Sequence, residues 1–140
     1  MTRINLVPPQ ELSDQHLIAE YHELPRCIKQ KIDISDASDK YILGKGHMKW
    51  AKKHTVFLLI RFSDLWVEML FRGFHPRHTP HSLILYAMEN THSQEWYTYT
   101  PTYMDIELSR NRLIERYNKN PSFYRWTNRK KPNYYGDNNE

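Results

Sequence analysis

Apolar positions along this chain recur at helical steps. Between Asp14 and Gln30, Leu17, Tyr21, Leu24 and Ile28 follow one another at intervals of four, three and four residues. That spacing lays them in one stripe along a helix. Ser13 or Asp14 supplies its cap, and Asp14 also suits the positive end of the helix dipole. Pro25 removes a backbone donor within the helix and is expected to bend it. A second helix is expected from about Lys52 to Arg72, ended by Gly73. It carries two stripes, Val56/Leu59/Ser63/Val67/Leu70 and Leu58/Phe62/Leu65/Met69, and so should lie centrally, covered on both sides. A third runs from Thr102, where Asp105 completes a variant capping box, to about Asn118, with Ile106, Leu113 and Tyr117 inward.

The connections are long. KIDISDASDK (31–40) is polar and turn-rich. In YILGKGHMKW, Gly44 and Gly46 bracket Lys45. A lone GxG reads more readily as a tight turn before a helix than as a phosphate cradle. SLILYAM is expected to be a short buried segment, and SQEWYTYT an aromatic surface loop. No alternating strand and no internal repeat is present. The pattern therefore predicts an all-α fold, a single compact three-helix domain over residues 1–140.

Composition narrows the class of partner. The net charge is +4, but it is unevenly placed. Residues 1–108 hold 12 Lys/Arg against 13 Asp/Glu, whereas residues 109–136 hold 8 against 1. The basic stretch is interleaved with Tyr117, Phe123, Tyr124, Trp126, Tyr134 and Tyr135. Phosphate neutralisation with aromatic stacking is how proteins grip nucleic acid; the plainer reading is a solvated basic tail. Arg112, Arg116 and Lys119 fall on one helix face. Cys27 is the single cysteine, which excludes an internal disulfide or a cysteine-based zinc site. Arg61, Asp64 and Glu68 break the most apolar run, so it cannot span a bilayer cheaply. No charged n-region with an apolar h-region opens the chain, and a cytoplasmic setting is expected.

Two stretches carry candidate chemistry. HPRHTPH (75–81) spaces three histidines by three, but its prolines prevent a helix from aligning the rings, and no carboxylate is near. No metal is expected there. The opening MTRINL is more informative. Removal of Met1 leaves an α-amine on Thr2, whose ordinary pKa of about 7.7–8.0 lies far below a lysine's ~10.4. Such an amine is nucleophilic at neutral pH and forms Schiff bases with carbonyl-like carbons. In a DNA-facing protein it would attack the sugar C1′, and it would need a carboxylate partner. Glu20 and Glu23, on the first helix, are the candidates.

TRINLVPPQELSDQHLIAEYHELPR resembles the opening of the phage-type pyrimidine-dimer DNA glycosylase/AP lyases, the ultraviolet endonuclease V family. YILGKGH, LFRGF and SRNRLIERYNKNPSFYRW are similar to that family too, in the same order. The resemblance implies an N-terminal segment threaded between helices. It also implies Thr2 as the nucleophile that opens the glycosidic bond and, by β-elimination, nicks the strand, with Glu23 as the catalytic carboxylate. Arg3 and Arg26 would lie beside the damaged strand, His16 would line the site and His22 would stand at a phosphate contact, Arg112 and Arg116 would hold the backbone, and Tyr124, Arg125 and Trp126 would approach the lesion. The implied partner is double-stranded DNA containing pyrimidine dimers or abasic sites, bound by a monomer without metal or cofactor. Two departures stand out. His22 occupies an expected arginine position, and the loop after the first helix is short. The alternatives are a glycosylase/lyase for another base lesion and a non-catalytic protein that binds lesions or bends DNA.

Overall fold

The computed structural model describes residues 4–136, and the three expected helices form within it. Helix α1 spans Asp14–Lys29; two shorter helices follow as α2, His47–Lys53, and, after α3 at Thr55–Phe71, α4 at Pro80–Asn90. Helix α5 covers Tyr103–Lys119. No strand is formed among the described residues, and the all-α fold is compact.

Local chemistry accounts for most boundaries. The Ser13 hydroxyl accepts the His16 backbone N–H at 3.1 Å and caps α1. Thr102 and Asp105 form the expected reciprocal capping box on α5. After α3, Gly73 adopts φ 85°, with Gly73 N–H bonded to Leu70 O and Phe74 N–H to Met69 O. This is a Schellman ending, and its left-handed residue suits glycine. Pro80 is tolerated because it sits in the first turn of α4, behind a Thr79 cap.

Three expectations need correction. The second helix does not begin at Lys52. The chain breaks at His54, which pairs with Trp96 as an isolated bridge, so α2 and α3 are separate. SLILYAM is a capped helix rather than a short segment. Helix α3 is also not covered on both sides: Val67 and Leu70 are exposed, while Arg61 and Glu68 are buried beside Leu58, Phe62, Leu65 and Met69.

Buried charges organise the interior. Arg72 bonds Glu68 at 2.8 Å, Asp14 at 2.9 Å and the Leu12 carbonyl at 2.7 Å. Asp14 in turn accepts from Thr127 N–H and hydroxyl, and Arg129 holds Glu68 through two bonds. Trp126 donates its indole N–H to Glu11 O at 2.9 Å. The basic C-terminal stretch is thus folded back over α1 and α3, not a solvated tail.

Candidate nucleic-acid interface

Residues 4–7 run through the interior, and side chains supply the bonds that a neighbouring strand would otherwise give. Buried backbone groups need partners. Ile4 N–H donates to His47 Nε2 at 3.0 Å, and Tyr41 donates its hydroxyl to Ile4 O at 2.7 Å. Leu6 N–H donates to Ser109 Oγ of α5, and Arg61 of α3 donates to Val7 O. The Asn5 side chain donates to Glu20 at 2.9 Å. The segment is therefore threaded between α1, α3 and α5. Thr2 and Arg3 lie outside the described residues.

The two candidate carboxylates separate cleanly. Glu20 is fully buried, and its oxygens accept two bonds from Arg61, at 2.8 and 3.0 Å, besides that from Asn5. It is a structural anchor with no path to a substrate. Glu23, one turn on, is partly exposed, and its bond is with Arg26 at 3.0 Å. Only Glu23 of the two can meet a ligand.

Helix α1 divides the other candidates between two faces. His16 shares the Glu20/Glu23 stripe, at i, i+4 and i+7. Its ring stacks on Tyr124 at 4.7 Å, and its Nδ1 lies 3.0 Å from the Ser13 hydroxyl. Burial, then the Arg116 and Arg112 guanidiniums, lower its pKa to about 4. His16 is thus neutral at pH 7, and Arg112, Arg116 and Tyr124 are gathered around it. Arg112, Arg116 and Lys119 line a groove of about 330 Å³ beside Leu43.

His22 and Arg26 face the other way. With Lys29, Tyr21 and Phe62 they border a cavity of about 450 Å³, lined on its other side by α4 residues Ser82 and Tyr86. Lys29 sits over the Tyr86 ring at 4.9 Å. Arg26 joins the two faces through Glu23. Arg125 is exposed. Trp126 is half-buried against Tyr117 and Tyr135, with its N–H already bonded to Glu11. Arg129 and Arg110 are likewise committed, to Glu68 and to Glu11 and Glu107.

Among the described residues no three His, Cys, Asp or Glu side chains converge as a metal site; His75, His78 and His81 are exposed. No described helix is long and apolar enough to cross a membrane. Sequence reasoning missed Tyr41, His47, Arg61 and Ser109. The charges at 61 and 68 within an apolar helix were a readable sign of buried partners. Tyr41 and His47 stand in YILGKGH and Ser109 opens SRNRLIERYNKNPSFYRW, stretches the resemblance marked without assigning these residues a role. A family model described as pyrimidine dimer DNA glycosylase matches residues 1–82, which include α1, Tyr41, His47 and Arg61.

Proposed function

The chain belongs to the pyrimidine dimer DNA glycosylase family, and from that membership in DNA repair we propose a two-step reaction driven by its N-terminal amine. With Met1 removed, the neutral Thr2 amine attacks C1′ of the damaged nucleotide. The C1′–N bond breaks with its electron pair leaving on the base, which takes up a proton. Opening of the C1′–O4′ bond, with protonation of O4′, leaves an imine between Thr2 and the sugar. That C=N acidifies the C2′ proton; its removal expels the 3′ phosphate by β-elimination, and water then releases the enzyme. Glu23 stabilises the cationic sugar and moves the protons. The reading has the enzyme acting as a cytoplasmic monomer on double-stranded DNA.

The observation that carries this reading is the contrast between Glu20 and Glu23 beside the tethered residues 4–7. Asn5 is bonded to Glu20, one helical turn from the reachable Glu23. An extended chain gains at most ~3.3–3.6 Å per residue, so two residues cannot carry an amine farther than about 7 Å from the Ile4 nitrogen. Arg112 and Arg116 supply phosphate contacts beside the stacked rings of His16 and Tyr124. The α1–α4 cavity has the size of a small-ligand site (~300–1,000 Å³). Its aromatic and basic lining suits the base turned out of the stack opposite the lesion.

Sodium borohydride trapping tests the proposal. Protein with a free Thr2 amine is expected to crosslink to duplexes carrying an abasic site or a pyrimidine dimer, and Glu23→Gln to lose turnover. Absence of any reduced crosslink on either duplex would refute it.

A further inference from the structure

Both backbone polar groups of Ile4 are held by buried side chains, Tyr41 from the loop that leads into α2 and His47 from the first turn of α2. Tyr41 is 4% exposed and His47 fully buried. Their rings meet edge to face at 5.6 Å, and both pack on Trp50. His47 Nδ1 lies 2.6 Å from Ile42 O, so it must be the donor there. Nε2 is then the acceptor of Ile4 N–H, and the ring is neutral with a fixed tautomer. The loop can return on itself because Gly44 and Gly46 take φ of 72° and 91°. A Cβ on Gly46 would also approach Ile42 Cδ1 to 2.8 Å. The glycine pair of YILGKGH thus aims two side chains at the backbone of one residue, Ile4, rather than cradling a phosphate.

We propose that Tyr41 and His47 are positioning residues that clamp Ile4 and thereby hold the reacting amine two residues away against its target carbon. The inference rests on the Thr2 amine reading. Satisfying buried backbone groups explains why Ile4 has partners. A clamp adds that loosening them slows chemistry without weakening DNA binding, since a displacement of 1 Å at a reacting group costs on the order of 100-fold.

The test compares Tyr41→Phe, which deletes one hydroxyl, His47→Gln, a Leu65→Ala core control and wild-type protein acetylated at its terminus. Single-turnover borohydride trapping is measured at saturating abasic duplex. Kd is measured on a tetrahydrofuran-site duplex, which cannot form an imine, and stability by urea unfolding. Both clamp variants are expected to trap about 10- to 100-fold more slowly with unchanged Kd, while Leu65→Ala traps at the wild-type rate. If Tyr41→Phe traps normally while the acetylated protein does not trap, the clamp is refuted and the amine reading stands. Slowing equal to that of Leu65→Ala also refutes the clamp. Normal trapping by the acetylated protein overturns the amine reading, and the clamp falls with it. Should His47→Gln fail to fold, Tyr41→Phe alone decides.

Discussion

Exchanging each of two glutamates one turn apart for glutamine should produce opposite phenotypes. In Glu20→Gln the side-chain shape is kept, but the buried Arg61 guanidinium loses its counter-charge while still bonded to Val7 O. Removing one partner of a buried ion pair costs about 3–5 kcal/mol, a large share of the ~5–15 kcal/mol that holds a domain together. At a urea slope of ~2 kcal/mol/M, a 4 kcal/mol loss lowers the unfolding midpoint by about 2 M. Glu23→Gln removes one i,i+3 pair whose Arg26 side chain is 73% exposed. Such a pair contributes at most ~0.5 kcal/mol, so the midpoint should move by no more than about 0.3 M. Its turnover, however, should fall by about 10²–10⁴, the usual worth of a general acid–base group. The assays are urea denaturation followed by fluorescence and single-turnover nicking of dimer-containing duplex, at a temperature where both variants are folded. A Glu20→Gln protein of wild-type stability, or a Glu23→Gln protein of wild-type rate, would refute the division of labour.

Other consequences follow from the same contacts. The His16 pKa is about 4 in the folded chain against 6.5 unfolded, so the unfolded state binds the extra proton between those values. Stability from this group is therefore complete above about pH 6.5 and is lost as pH falls toward 4. The shift corresponds to ~3 kcal/mol at most, trimmed to ~2 kcal/mol by partial solvent contact. Urea unfolding of His16→Phe from pH 7 to 4 should show that much less pH dependence. Arg112→Ala and Arg116→Ala should each flatten the log Kd against log salt plot by ~1, as fluorescence anisotropy on duplex DNA will report. Ser82→Trp, which narrows the α1–α4 cavity, should suppress the rise in 2-aminopurine fluorescence when that base is placed opposite the lesion. Asp14→Ala removes the acceptor of two Thr127 bonds and one Arg72 bond. It should release the C-terminal segment to tryptic cleavage at Arg125, read by mass spectrometry.

The sequence made α1 and α5 readable because their caps and stripes are local: Ser13 and His16, or Thr102 and Asp105, lie within one turn. Helices α2 and α4 are short; α4 starts at a local cap, Thr79, whereas a tertiary contact sets the limit of α2. His54 ends α2 by meeting Trp96, forty-two residues on. The face of α3 was misjudged for a related reason. Hydropathy alone places Val67 inside and Arg61 outside, whereas Glu20, Asp14 and Arg129 arrive from distant segments to make the charges at 61, 68 and 72 the buried set. Within the site, resemblance singled out Glu23, but spacing gave no ground for preferring it to Glu20. That distinction depends on Asn5 and Arg61 occupying one of them. The charge excess of the last quarter was real but overstated as a binding surface, since Arg110 and Arg129 are spent on internal carboxylates.

The most direct measurement is to locate the crosslink. After borohydride reduction on abasic duplex, nuclease and protease digestion with tandem mass spectrometry should find the sugar remnant on the α-amine of a peptide beginning at Thr2. A remnant on a lysine side chain, with the terminal peptide unmodified, would contradict the account.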